Sequence, residues 1–231
     1  ACGFVGSAIV EDLVKKKHQV ISIDVIEDEK ISSISEFHKV NILDIEKLSK
    51  LFKNVDCIHH NAALVPLSKS GKKFYETNVI GTKNLVKIAN TLGCKLIQIS
   101  TDGIFSGKEE SYKENDDPNP VNYYGTTKRE CEDEVKNSND YLIFRTNLLY
   151  GYVPKNLLES RSQYLKPTNF VLWVLSELNK KNPLKIVNDQ FSNPTLVDNL
   201  ARIIVDSITK DIVGTFHATD LTCISRFEFA K

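Results

Sequence analysis

Ala1-Cys2-Gly3-Phe4-Val5-Gly6-Ser7-Ala8-Ile9-Val10 and, a little further on, Gln19-Val20-Ile21-Ser22-Ile23-Asp24-Val25 decide the fold of this 231-residue chain. From Phe4 to Lys17 the apolar residues Val5, Ile9 and Leu13 recur at helical spacing with polar residues between them, the signature of an amphipathic helix. Gln19 to Val25 alternates and is rich in β-branched residues, which predicts a strand. Gly3 and Gly6 lead directly into the helix. Glycines at such a place let the backbone come close to a pyrophosphate, and the helix start offers free N–H donors and the positive end of the dipole. Close helix packing accounts for two glycines equally well. Asp24 ends the strand 18 residues after Gly6, near the spacing of about 20 at which an acid receives ribose hydroxyls. A solvated strand-end carboxylate is the plainer alternative.

Outward from this unit the same rhythm repeats. A weak strand at Phe37 to Val40 precedes a helix at Asp44 to Lys53, and a short strand at Val55 to His59 precedes a long helix at Lys72 to Leu92, with Gly93 placed to cap it. Cys94 to Ser100 reads as a strand, Tyr123 to Lys136 as a helix and Tyr141 to Thr146 as a strand. Strands alternating with helices require crossover connections and a parallel sheet, whose ligands sit beyond the C-terminal strand ends. The fold class is therefore α/β, a Rossmann-type doubly wound sheet. After Thr146 the rhythm changes. Gly151 to Pro167 is irregular, then come a helix at Asn169 to Lys181, a strand at Leu184 to Val187, a turn at Asn188 to Pro194, a helix at Leu196 to Ile208, a strand at Gly214 to Ala218 and a last helix from Ser225. This divides the chain into residues 1–146, which bind a dinucleotide, and residues 147–231, mainly a substrate-binding region.

Bulk properties exclude several classes. Thirty basic and 30 acidic side chains balance, so there is no basic footprint for nucleic acid. No apolar run approaches the roughly 20 residues that span a bilayer. The five cysteines are scattered without a Cys-x-x-Cys pair, which argues against a zinc site or disulfide framework and fits a reducing, cytoplasmic setting. His59 and His60 are adjacent in a strand, so their side chains point to opposite faces and no metal site is expected. The chain has no methionine, opens inside a glycine turn and closes inside an apparent helix at Phe229-Ala230-Lys231. The expectation is a fragment truncated at both ends, with the first strand missing.

The chemistry centres on Tyr124-Gly125-Thr126-Thr127-Lys128. Residues four apart share a helix face, and an ammonium beside a phenol lowers the phenol's pKa from about 10. The pair suits proton transfer to or from a hydroxyl or carbonyl oxygen. It lies in the helix after the strand ending Ile99-Ser100-Thr101-Asp102, and a hydroxyl at that strand end can bond the same oxygen.

Taken together, Gly3-x-x-Gly6, Asp24, Asn61-Ala62-Ala63, Asn78 before Gly81-Thr82, and Tyr124 with Lys128 resemble the extended short-chain dehydrogenase/reductase superfamily over essentially the whole chain. Ser100-Thr101-Asp102, Pro120-Val121-Asn122-Tyr123-Tyr124-Gly125-Thr126-Thr127-Lys128, Arg145-Thr146, Asp189-Gln190 and Pro194-Thr195 narrow the resemblance to the dTDP-4-dehydrorhamnose reductase family. The resemblance implies that Thr101, more than Ser100, binds the reacting oxygen, that Tyr124 is the general acid and that Lys128 holds Tyr124 and the nicotinamide ribose. Gly3, Phe4, Val5, Gly6, Asp24, Asn61, Ala62, Ala63 and Ser100 would form the cofactor path, with Asp44 and Ile45 flanking the adenine. Asn78 would be a helix-bending position that helps seat the lysine. Val65, Asp102, Gly103, Asn147, Leu148 and Gln190 would face the substrate. Two positions depart from the family: Gly103 and Leu148 stand where aromatic residues are usual.

The implied activity is an NAD(P)H-dependent reductase of a nucleotide-linked 4-keto-6-deoxy sugar, with NAD(H) preferred for the carboxylate at Asp24 and NADP(H) as the alternative. A homodimer is also expected. Two rival readings remain: an epimerase or dehydratase that keeps its NAD, and a regulatory subunit of the same fold.

Overall fold

The computed structural model describes residues 1–65, 71–109, 111–153 and 169–231. The first unit is α1 (Phe4–Lys15), β1 (Ile21–Asp24), α2 (Glu29–Ile34) and β2 (Glu36–Lys39), with β1 and β2 paired in parallel. Then follow α3 (Ile45–Leu51), β3 (Cys57–His60), α4 (Gly71–Phe74), a π-helical turn (Tyr75–Ile80) that runs into α5 (Gly81–Leu92), and β4 (Lys95–Thr101). A 3₁₀ turn at Asp102–Ile104 leads towards α6 (Tyr123–Val135) and β5 (Tyr141–Thr146). The remainder comprises β6 (Leu149–Tyr150), α7 (Phe170–Asn179), β7 (Phe191–Ser192), β8 (Thr195–Leu196), α8 (Val197–Ile208), β9 (Gly214–His217), β10 (Ile224–Ser225) and α9 (Arg226–Phe229). A four-stranded parallel sheet has the order β3-β4-β5-β9. No helix among the described residues is long and apolar enough to cross a membrane.

The helices cover both faces of this sheet, and side-chain alternation along the strands decides which residue meets which helix. Ile97 and Ile99 of β4 and Leu142 and Phe144 of β5 pack with Ile9 of α1 and with Leu200, Ile204 and Val205 of α8. Leu96 and Ile143, one step out of phase, pack with Leu48 of α3, Leu85, Ile88 and Ala89 of α5 and Val135 of α6. Residues 95 to 100 of β4 are all buried, as a strand covered on both faces must be. Burying the side chains of Leu96, Ile97, Leu142 and Ile143 contributes about 1.5–3 kcal/mol each.

Most expected elements form within two residues of their expected ends. Gly93 takes the left-handed conformation (φ 66°) after α5, the capping role its position suggested. Three differences are physical. Helix α2 is absent from the sequence reading because only Ile31 of its six residues is buried; Asp28 starts it by accepting from the Ile31 N–H at 3.1 Å. Residues 184–187 keep the expected alternation, Leu184 and Ile186 half-buried and Lys185 and Val187 exposed. They form no strand, because none of the described strands pairs with them. Instead β7 falls inside the segment read as a turn and pairs antiparallel with β10. Most of the irregular stretch expected at Gly151–Pro167 lies outside the described residues.

Candidate active site

Thr101 is the last residue of β4 and starts the 3₁₀ turn: its Oγ1 accepts from the Gly103 N–H at 3.1 Å and donates to Asp102 Oδ1 at 3.1 Å. Tyr124 lies in the first turn of α6, which Asn122 caps by accepting from the Gly125 N–H at 2.8 Å. A glycine at 125 is what brings these two pieces together. A Cβ there would fall 2.2 Å from the Gly103 carbonyl oxygen and 2.9 Å from Pro120 Cβ, so only glycine lets the helix rest on the turn. Ser100 faces away. Its buried hydroxyl donates to Glu132 Oε1 at 2.5 Å, which leaves Thr101 as the hydroxyl at the cleft and gives Ser100 only its backbone to offer a ligand.

Lys128 follows Tyr124 on the same face of α6 and is buried; its ammonium donates to the Ile99 carbonyl at 2.6 Å. The sequence reading expects this lysine to lower the phenol's pKa. The structure gives the opposite direction: burial first, then the carboxylate of Asp102, push Tyr124 up to about 12, while burial lowers Lys128. Tyr124 is thus held as a neutral phenol, the form a proton donor needs. Asp102 opens to the cleft, yet the surrounding walls restrict its hydration and raise its carboxyl.

Asn78 sits in the π-helical turn, in keeping with its expected helix-bending role; such turns often occur at functional sites. Its buried amide accepts from the Leu64 N–H at 2.8 Å and donates to the Leu64 carbonyl and to Thr127 Oγ1, each at 3.2 Å. Its backbone carbonyl accepts from the Gly81 N–H and also from Thr82 Oγ1 and from the Cys131 thiol at 3.0 Å. The amide therefore ties the loop after β3, with Asn61, Ala62, Ala63 and the exposed Val65, to α6 one residue before Lys128, without touching the ammonium. His60 bonds Thr82 at 2.9 Å, whereas Nε2 of His59 is buried with no hydrogen-bond partner. Burial first, with neighbouring positive charge, lowers both imidazoles to about 3, so they are neutral.

The glycine turn fits a dinucleotide's pyrophosphate. Gly3 starts α1, no side chain caps that helix, and its first turn carries no acid, so its N–H groups and positive end stand free for an anion. A Cβ on Gly6 would come within 2.4 Å of the Ala1 carbonyl oxygen. Asp24 is brought to this turn as expected, and it is occupied there. Oδ2 accepts from the Ala1 ammonium at 3.0 Å and the Cys2 N–H at 2.8 Å, and Oδ1 from the N–H groups of Val25 at 2.8 Å and Ile26 at 3.2 Å. Burial works to raise this carboxyl, but the ammonium and the N–H donors outweigh it and hold it below the usual range. Asp44 caps α3 and pairs with Lys47 at 2.8 Å, and Ile45 packs against the core. The structure gives both of them local work, and their expected place beside an adenine rests on the resemblance alone.

Of the expected substrate residues, the structure brings Asn147 to Asp102. Asn147 also pairs with the backbone of Asn193. Leu148 holds an unusual positive φ of 30°, and the Gln190 carbonyl accepts from the Arg226 N–H at 2.9 Å. A Cβ at Gly103 would meet only the Thr101 side chain, at 3.4 Å, so space does not dictate the glycine. Sequence reasoning gave no role to three residues here: Glu132, Arg226 and Arg145, the last quoted above only as part of a family block. Glu132 and Arg145 form a buried bidentate pair at 2.8–3.3 Å; an arginine directly after the apolar run Tyr141-Leu142-Ile143-Phe144, within one strand, was the available signal, since it needs a partner. Arg226, on α9, lies within electrostatic range of Asp102; nothing in its neighbourhood in sequence announces it.

A strand-end hydroxyl, a neutral phenol beside a lysine and an open helix start, gathered at the C-terminal ends of parallel strands, fit a nicotinamide-dependent oxidoreductase of the extended short-chain type. Within that class the chain belongs to the RmlD substrate binding domain family, whose model matches residues 1–231. It is 26% identical over 238 residues to the probable low-salt glycan biosynthesis reductase Agl14 of Haloferax volcanii, covering 100% of this chain and 76% of that one. A methionine adenosyltransferase 2 subunit beta from Xenopus tropicalis is 37% identical, over 52% of this chain and 37% of its own. Among solved structures, a dTDP-4-dehydrorhamnose reductase of Clostridium acetobutylicum superposes with a TM-score of 0.80 at 32% identity, covering 99% of this chain and 75% of that one. The same-named enzyme of Bacillus anthracis, in complex with NADP, gives 0.74 at 29% identity over 86% and 71%.

Proposed function

We propose that this chain reduces the keto group of a nucleotide-linked 4-keto-6-deoxy sugar, as the dTDP-4-dehydrorhamnose reductases it is similar to are named for. The observation that carries the reading is the seating of Thr101 and Tyr124 against each other through Gly125 and the Gly103 carbonyl. A nicotinamide dinucleotide held at the glycine turn of Gly3 and Gly6 would supply the hydride that the carbonyl carbon needs. Thr101 Oγ1 donates a hydrogen bond to the carbonyl oxygen, giving up its bond to Asp102. Tyr124, neutral at the start, transfers its phenolic proton to that oxygen as negative charge develops there. The ammonium of Lys128 stabilises the phenolate left behind. Holding both reactants in one cleft supplies the proximity contribution. Residues 1–146 hold the cofactor and residues 147–231 mainly the sugar nucleotide.

The finer reading of the cofactor is a preference for NAD(H). Asp24 is ionised, and Glu27, Asp28 and Glu29 follow it. Two unpaired unit charges about 4 Å apart repel by about 4 kcal/mol at a protein surface; the Ala1 ammonium beside Asp24 offsets part of this, so the repulsion a 2′-phosphate meets is smaller. The reductase reading is favoured over a regulatory subunit because similarity to reductases runs the length of the chain, whereas similarity to the subunit beta covers half of it. Mixing the protein with NADH or NADPH and a panel of nucleotide 4-keto sugars tests it. Stoichiometric loss of the reduced-cofactor absorbance is expected; turnover of sugar with no net loss would instead establish an epimerase or dehydratase.

A further inference from the structure

Arg226 stands apart from the machinery described so far. It opens α9 directly after β10, which pairs with β7, and its backbone N–H is fixed by the Gln190 carbonyl at 2.9 Å. Its guanidinium lies 5.2 Å from the centre of the Phe170 ring, and Phe170 is stacked on Phe229 at 5.8 Å, which in turn meets Tyr150 edge-on at 5.2 Å. The backbone bond fixes where the side chain begins, and the Phe170 ring gives the guanidinium a face to lie over. Its Nε is buried and has no hydrogen-bond partner, and among the described residues no carboxylate comes within salt-bridge distance of the group. Among the described residues, the acid whose charge reaches it is Asp102, at the Thr101 turn.

A half-buried, unpaired cation is costly, and a structural arginine normally saturates its five donors. A guanidinium with donors to spare suits carboxylate or phosphate oxygens, which it grips two at a time. We propose that Arg226 binds an anionic oxygen group of the nucleotide sugar, the diphosphate or a carboxylate on the sugar, and so fixes the substrate near Asp102. The inference rests on the nucleotide-sugar reading above. It places the substrate's charge on the wall formed by α9, β7 and β10 and its reacting carbonyl on the wall formed by β4 and α6. It also supplies, from the far side of the cleft, an anchor that Gly103 and Leu148 lack.

The test is calorimetric titration of the full chain with dTDP, UDP and GDP, then with UDP-glucose and UDP-glucuronate, for the wild type, Arg226→Gln and Arg226→Lys. Removing the charge is expected to weaken the nucleoside diphosphate that the wild type prefers by about 10- to 100-fold, at about 1.4 kcal/mol per decade. Lysine should recover part of this, and the dissociation constant for NADH or NADPH should stay within twofold. A loss confined to UDP-glucuronate locates the anion on the sugar and supports the same chemistry. Wild-type-like affinity of Arg226→Gln for every ligand overturns the proposal alone. A wild type that binds none of the five overturns the nucleotide-sugar reading and this inference with it. An unchanged thermal midpoint in Arg226→Lys keeps a folding defect from being read as lost binding.

Discussion

Replacing Glu132 by glutamine should unsettle both the fold and the turn that carries Thr101. Glu132 is 1% exposed and Arg145 3% exposed, and the carboxylate takes three contacts from the guanidinium and one from Ser100. Arg145 also donates to the Glu114 carbonyl at 2.9 Å and lies over Phe105 at 5.2 Å, so it cannot swing out to water without undoing those contacts. Removing one partner of a buried pair costs about 3–5 kcal/mol, chiefly because the remaining charge is left uncompensated. Glutamine keeps one acceptor oxygen, which places Glu132→Gln near the lower end. For a chain of this size about 1 kcal/mol moves the midpoint by about 2–4 °C, so a fall of about 6–12 °C is expected. The assay is urea unfolding followed by circular dichroism, on Glu132→Gln, Arg145→Met and the double variant. The two single losses should exceed the double variant's loss when summed, by about 2 kcal/mol or more, the mark of direct coupling. A Glu132→Gln loss below about 1 kcal/mol, or strict additivity, would refute the reasoning. Because Ser100 adjoins Thr101, kcat should fall in Glu132→Gln more than cofactor affinity does.

The other predictions can be checked individually. Tyr124→Phe should lower kcat by about 10² to 10⁴ while leaving cofactor affinity nearly unchanged; retention of most turnover would show that the proton comes from elsewhere. Gly125→Ala must push α6 off the Gly103 carbonyl, so steady-state kinetics should show a loss of at least about 10-fold in kcat, and undiminished kcat would mean the contact is not needed. Tyr124 also makes stability depend on alkaline pH. Its phenol is raised from 10.0 to about 12 in the fold, so its contribution is complete below pH 10 and disappears as pH climbs to about 12; Tyr124→Phe should lack that component in unfolding curves between pH 9 and 12. Asp24→Ala should narrow any preference for NAD over NADP towards parity and also weaken both cofactors, since the carboxylate holds the glycine turn; equal wild-type dissociation constants for the two would contradict the charge argument.

How much of this was legible beforehand follows from the range of the interactions. Periodicity is local, and it revealed the alternation of strands and helices, down to β5 at Tyr141–Thr146. The i to i+4 relation is also local, and it revealed Tyr124 with Lys128. What the sequence could not show is which long-range partner takes up a given polar group. Asp24 is correctly placed at the glycine turn, yet its lone pairs are spent on four backbone donors. The resemblance preferred Thr101 to Ser100, but the physical reason, that Glu132 claims the Ser100 hydroxyl, is a contact 32 residues away in the chain. The strand expected at residues 184–187 has the right alternation, but pairing needs a neighbour and alternation cannot supply one. Arg226 lies 124 residues beyond Asp102 in the chain, a separation at which no local pattern operates.

The glycine seam between residues 103 and 125 also bears on how such a protein can diversify. Because backbone rests on backbone there, the hydroxyl and the phenol form one block, and no side-chain replacement elsewhere need disturb their alignment. The opposite wall is assembled from short pieces, β7, β10 and α9, joined by two-residue pairings and single hydrogen bonds. On the proposed assignment, changes on that wall alter which sugar is admitted while the block of Thr101 and Tyr124 stays fixed. Inheritance can therefore revise the substrate and the chemistry at separate addresses, and a new specificity requires no intermediate in which the proton donor is out of place.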